Sequence, residues 1–254
     1  MIIDSHAHLY YPELKENIEN ILENAAVSGV EKIIVPAVDL KSAGEIMNLC
    51  SKYKEIYAAV GFHPGDIKNT DLSELKYLDD YLNEEKVVAV GEIGLDYYWD
   101  KSQIEKQKVF FKEQLEIAVS RNLPVIIHTR DSVDDAVAVI KKMNSDSLKG
   151  QFHCFDGDEN NLNDILGMQN FFVSYCGNVT FKNFRELNLL KNTPVNRLLF
   201  ETDSPFLTPV PFRGKPNQPA YVIHTIEKIS QILNMDLHNL KQIVYNNTLT
   251  LFNL

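Results

Sequence analysis

The sequence contains no uninterrupted apolar run long enough to span a membrane, and no basic segment followed by an apolar stretch at its start. We therefore expect a cytoplasmic protein without a membrane partner. Cysteine is scarce: Cys50, Cys154 and Cys176 are odd in number, far apart and form no C-x-x-C. That pattern indicates neither a disulfide framework nor a structural zinc site, and reads as three buried thiols. Positive charge is in deficit, with 25 Lys and Arg against 35 Asp and Glu, net −10. Such a balance argues against indiscriminate binding to phosphate backbones. No G-x-G-x-x-G follows any apolar run, which sets aside an open doubly wound nucleotide-binding sheet. Linkers rich in Gly or Ser, low-complexity tracts and sequence repeats are absent as well.

What is present is an ordinary globular composition, 44% hydrophobic and 24% charged, with ample material for a core. Short apolar runs alternate with helical spacings along the whole chain. The runs fall near residues 2–9, 32–38, 56–62, 87–90, 125–127, 150–155, 171–175 and 197–200. Amphipathic helices are expected over 12–28, 42–53, 73–82, 102–122, 133–143, 162–168, 185–190, 219–233 and 237–252. Nearly continuous apolar strands, each followed by a helix, signal parallel β/α units. Eight units in 254 residues fit a closed TIM (β/α)8 barrel, which typically takes about 250 residues. A single barrel domain over 1–254 is expected, as a monomer.

Charge is unevenly placed. Asp71, Glu74, Asp79, Asp80, Glu84 and Glu85 crowd around one lysine, a solvated helix face. Lys182, Arg185, Lys191, Arg197, Arg213 and Lys215 make the late loops locally basic.

The first run carries His6 and His8, whose spacing puts both imidazoles on one side of a strand. Two neutral imidazoles aimed at one point are a common device for holding a divalent transition metal. His63, Glu92, His128, His153 and Asp203 follow later runs in the same way. In a closed parallel barrel the C-terminal strand ends share one face, where active sites of this fold are built. His224 and His238 fall on helices and read as surface or packing residues.

The segments Asp4-Ser5-His6-Ala7-His8-Leu9, Gly61-Phe62-His63-Pro64, Gly91-Glu92-Ile93-Gly94-Leu95-Asp96-Tyr97, His128-Thr129-Arg130-Asp131, His153-Cys154-Phe155 and Glu201-Thr202-Asp203-Ser204-Pro205, with Arg213-Gly214-Lys215 and Asn217, together resemble the TatD family of metal-dependent deoxyribonucleases. The match runs through the chain in order. It implies a two-metal phosphodiesterase acting on DNA, with His6, His8, Glu92, His128, His153 and Asp203 as ligands. Asp156 departs from the family pattern, which more often has a small polar residue before that glycine.

Four imidazoles and two carboxylates suit two divalent ions, Zn²⁺, Mn²⁺ or Mg²⁺, that activate a water. The arrangement expected is His6, His8 and Asp203 on one ion, His128 and His153 on the other, and Glu92 bridging. Asp203 would take the proton of the attacking water, and His63 would touch substrate or give a proton to the leaving oxygen, or else pack at its strand end. Arg130 and Arg213 are candidate phosphate binders, or else structural ion-pair partners. Tyr97, Tyr98 and Trp99 offer rings for stacking on single-stranded bases, or for core packing. Asp4 and Glu201 are expected to orient ligand imidazoles. The leading reading is a metal-dependent phosphodiesterase, which the family resemblance implies to be a 3′-to-5′ exonuclease on single-stranded DNA. Hydrolysis of a carboxyl ester or amide on the same metal pair, such as deacylation of a D-aminoacyl-tRNA, is the alternative. A non-catalytic scaffold barrel would be expected to lack some of these ligands.

Overall fold

The computed structural model describes all residues from Met1 to Leu254. Apolar runs of three to ten residues pair side by side into one parallel eight-stranded sheet. Its strands are β1 (Ile2–Asp4), β2 (Val30–Pro36), β3 (Ile56–Val60), β4 (Val87–Asp96), β5 (Val125–Arg130), β6 (Gly150–Phe152), β7 (Phe171–Tyr175) and β8 (Leu198–Phe200). Their order in space equals their order in sequence, the arrangement that a chain of right-handed β/α crossovers produces. The strands are buried almost throughout, as expected of a parallel sheet covered on its outer face.

The sheet closes just past the named ends of β1 and β8. Ser5 N–H donates to Phe200 O at 3.1 Å, Asp203 N–H to His6 O at 2.9 Å and His8 N–H to Ser204 O at 2.8 Å, and Ala7 and Ser204 form a parallel bridge. The closing seam therefore holds His6, His8 and Asp203 in register with one another. The outer layer consists of α1 (Pro12–Lys15), α2 (Ile18–Val27), α3 (Leu40–Lys52), α4 (Asp79–Leu82), α5 (Ile104–Arg121), α6 (Val133–Met143), α7 (Glu159–Gly167), α8 (Leu187–Asn192), α9 (Val222–Leu233) and α10 (Leu237–Phe252). No helix is long and apolar enough to cross a membrane.

Local chemistry explains where the elements depart from the periodicity. The expected helix over 12–28 breaks into α1 and α2 around Glu16 and Asn17, because only Leu14 is buried in the first piece. Residues Leu72–Leu78 form 3₁₀ turns before α4, started by Asp71, whose side chain accepts from Ser73 N–H. Strand β4 is longer than expected, because Ile93 and Leu95 continue the buried run through two glycines. A β-bulge separates Val90 from Ile93 in its pairing with β5. Glu92 consequently sits in mid-strand, and the bulge rather than a strand end re-aims its side chain.

Candidate active site

The six ligand candidates meet in one cluster at the barrel mouth, and Glu92 is its centre. Glu92 Oε2 lies 3.3 Å from His6 Nε2 and 3.6 Å from His8 Nε2, and its Oε1 lies 3.0 Å from His128 Nδ1 and 2.9 Å from His153 Nε2. One carboxylate thus presents a different oxygen to each histidine pair. On the first side the two Nε2 atoms are 3.1 Å apart, and Asp203 Oδ1 is 3.7 Å from His6 and 3.6 Å from His8. On the second, His128 Nδ1 is 3.2 Å from His153 Nε2.

These separations test whether the residues fit an ion. Donors bound tetrahedrally at zinc distances stand about 3.3 Å from one another; the first group surrounds that value, and the second falls slightly short of it at 2.9 to 3.2 Å. Four convergent imidazoles beside two carboxylates form a donor set suited to divalent metals. The residues present fit such ions.

His128 and His8 are held from behind by hydrogen bonds, while His6 Nδ1 and His153 Nδ1 are buried without one. His128 Nε2 lies 2.9 Å from Asp96 Oδ2, which fixes the tautomer that turns Nδ1 toward Glu92. His8 Nδ1 meets the Tyr10 hydroxyl at 3.3 Å. Glu201 is fully buried, with Oε1 3.6 Å from His153 Nδ1 and accepting Cys154 N–H at 2.6 Å. Its Oε2 is 2.7 Å from Gln151 Nε2 and accepts from Ser174 Oγ at 2.8 Å, so β6 and β7 brace it from below. Gly94 permits the approach of β4 to β5: its φ is +142°, and a Cβ there would lie 2.0 Å from His128 O. Any side chain at this position would push His128 away from Glu92.

The electrostatics follow from the crowding. Burial alone would raise Glu92, but His153, His6 and His63 and the His128 hydrogen bond outweigh it and hold the carboxyl well below its usual range. Asp203 is likewise lowered, as His8, His6 and His153 overcome its burial. Burial lowers His6, whereas Glu92 and Glu201 raise His153 well above the ordinary imidazole value against its desolvation. The two carboxylates are therefore held in their charged form among the imidazoles. Because the Asp96 charge orients His128, Asp96→Asn is expected to weaken metal binding ~10-fold, measured by equilibrium dialysis, while leaving the fold intact.

A cavity of about 470 Å³ opens over the cluster, lined also by Tyr11, His63, Asp66, Trp99, Arg130 and Phe206. His63 Nε2 is 3.7 Å from Glu92 Oε1, and its Nδ1 is 3.1 Å from Asp66 Oδ2. Arg130 stacks on Tyr98 at 3.8 Å and lies 5.2 Å from the Trp99 ring centre. It makes no ion pair, and neither do Arg213, Lys182, Arg185 and Lys215. The ion-pair alternative for the two arginines is thereby removed.

Three expectations need correction. Tyr97 does not line the metal cavity; its hydroxyl donates to Asp135 at 2.8 Å, and it borders a neighbouring cavity with Asp131 and Asp156. Arg213 lies outside the metal cavity too, stacked on Phe181 at 3.9 Å. Asp4 orients no imidazole: it accepts from Thr202 Oγ1 at 2.6 Å, Thr202 N–H at 2.9 Å and His6 N–H at 3.3 Å, fixing the backbone of the seam. Burial pushes its carboxyl up to about 8. Asp96, Asp66 and Tyr10 escaped the sequence reading as individual partners. Asp96 stands inside a motif already quoted, and the other two follow ligand candidates by two or three residues.

Comparison with known proteins agrees with the geometry. The model for TatD-related DNases matches residues 3–253. The chain belongs to the TatD family. It is 40% identical over 253 residues to the uncharacterized metal-dependent hydrolase YabD of Bacillus subtilis, covering 99% of both chains. The uncharacterized metal-dependent hydrolase YcfH of Escherichia coli is 33% identical, over 100% of this chain and 96% of that one. Among solved structures, the TatD homologue YjjV of Escherichia coli superposes with a TM-score of 0.94 at 32% identity, over 100% of this chain and 98% of that one. The TatD fold thus agrees with the barrel derived from strand order.

Proposed function

We propose that this TatD-family chain is a metal-dependent hydrolase of phosphodiesters, a 3′-to-5′ deoxyribonuclease on single-stranded DNA. Two divalent ions would be held, one by His6, His8 and Asp203, the other by His128 and His153, with Glu92 shared. The observation that carries this reading is the divided Glu92 carboxylate, one oxygen on each histidine pair. When bound, the ions supply an acidified water as nucleophile and neutralise charge on the phosphate oxygens. Zinc and manganese suit the imidazole-rich donors, and magnesium suits the phosphate oxygens.

The residues of the chain do the rest. Asp203 Oδ1 faces both imidazoles while Oδ2 has no cationic partner, so Oδ2 accepts the proton of the attacking water. His63, held through Nδ1 by Asp66, gives a proton from Nε2 to the leaving oxygen. Arg130, stacked and without a carboxylate, clamps the scissile phosphate with its bidentate guanidinium. Trp99 is 73% exposed at the cavity rim, where its ring stacks on a base. Arg213, Lys182, Arg185 and Lys215 line the strand's further path outside the cavity. Trp99→Ala is expected to raise KM for a single-stranded oligomer ~10-fold with little change in kcat.

One feature favours ester hydrolysis instead: Asp131, Asp134, Asp135, Asp156 and Asp158 line an adjoining cavity suited to an ammonium such as that of an aminoacyl group. The deciding experiment gives metal-stripped protein Mg²⁺, Mn²⁺ or Zn²⁺ and supplies either end-labelled single-stranded DNA or a D-aminoacyl-tRNA. A metal-dependent ladder shortening from the 3′ end supports the nuclease. Deacylation without nucleotide release would replace it with the ester reading.

A further inference from the structure

Two of the three cysteines, separated by 22 positions in sequence, meet just past the ends of β6 and β7, next to His153. Cys154 Sγ and Cys176 Sγ are 2.8 Å apart, both as free thiols. Cys154 follows His153, and its amide donates to the same Glu201 oxygen that faces His153 Nδ1. It is half-buried with φ +43°, whereas Cys176 is fully buried and also bonds Asn178 Oδ1 at 3.3 Å. Neither thiol has a part in the hydrolytic reading.

We propose that Cys154 and Cys176 are a reversible dithiol–disulfide pair that controls the metal site through His153. The sulfurs need only a short approach to reach the bonding distance of about 2.05 Å. The oxidant is a small disulfide such as oxidised glutathione. Cys154, the more accessible, loses its proton and attacks one sulfur, forming a mixed disulfide and releasing one small thiolate. Cys176 then loses its proton and attacks Cys154 Sγ, the protein disulfide forms and the second small thiolate leaves. Two protein thiols are oxidised, one small disulfide is reduced to two thiols, and the two protons go to the released thiolates. The bond would pull Cys154, and with it the His153 ring and the amide on Glu201, out of their present register.

The consequence for activity rests on the metal-hydrolase reading, but the cross-link does not. The full chain is equilibrated overnight with oxidised or reduced glutathione, quenched, and read by intact mass and peptide mapping. Turnover is then read on whichever ester the reduced protein hydrolyses. The expected result is loss of two hydrogens, a peptide joining Cys154 to Cys176, and turnover lowered at least ~10-fold, restored by dithiothreitol. Cys176→Ser should form no cross-link and retain a glutathione adduct on Cys154 that dithiothreitol removes, and Cys50→Ser should behave as the parent. Absence of the cross-link, or a cross-linked protein with unchanged turnover, overturns the proposal. A reduced protein that hydrolyses neither substrate but still forms the cross-link would fail the metal-hydrolase reading alone; the His153 arm is then read from manganese bound per chain, and unchanged binding overturns it.

Discussion

Glu92→Gln is expected to reduce turnover by ~10³-fold or more and to lower the ions bound per chain from two to one. Glutamine keeps the size and one oxygen, so the side chain still fits between the histidine pairs. What it removes is the negative charge among His6, His63, His128 and His153, and one of the two oxygens that divide between the pairs. An amide nitrogen would face either His6 and His8 or His128 and His153, presenting hydrogens where a metal donor is required. Because Glu92 is buried and held charged by those imidazoles, its replacement also leaves like-charged rings less compensated. Metal analysis beside turnover separates the two effects. A variant that retained both ions and full turnover would remove Glu92 from the bridging role.

Asp203→Asn acts differently. Asp203 lies at the cavity edge, more accessible than Glu92, and its backbone N–H bonds His6 O as part of the closing seam. That backbone contact survives the substitution, so the fold and the ion on His128 and His153 should remain. The amide cannot accept the proton of the attacking water. We expect kcat to fall between ~10²- and 10⁴-fold, the span associated with a positioned general base. KM should change little, because Arg130 and Trp99 are untouched. Unchanged kcat would assign the proton transfer to another group.

The barrel was legible because parallel strands covered on both faces read as short apolar runs, and each of the eight runs found its strand. The ligand cluster was legible for a related reason. Strand ends of a closed barrel share a face, so placing His6, His8, His128, His153 and Asp203 at the ends of apolar runs already brings them together. Glu92 reached the same place by another route, since the bulge in β4 depends on Gly91 packing against Ile126 and Gly94 against His128, contacts that no periodicity reports. The substrate-facing residues were the least legible. Tyr97, Tyr98 and Trp99 are adjacent in sequence, yet Tyr97 is tied to Asp135, Tyr98 carries Arg130 and Trp99 lines the cavity. Loop side chains are placed by partners distant in sequence, and their direction follows from those partners rather than from spacing. The Cys154–Cys176 approach was hidden in the same way, because it depends on β6 and β7 being neighbours in the sheet.

The central claim is that one carboxylate holds two ions together over the barrel mouth. It is tested most directly by dialysing metal-stripped protein against manganese and following bound ion and nucleotide release together. The account predicts two equivalents per chain in the parent protein, with turnover rising only as the second is bound. Full turnover at a single equivalent, or no more than one equivalent at saturation, would contradict it.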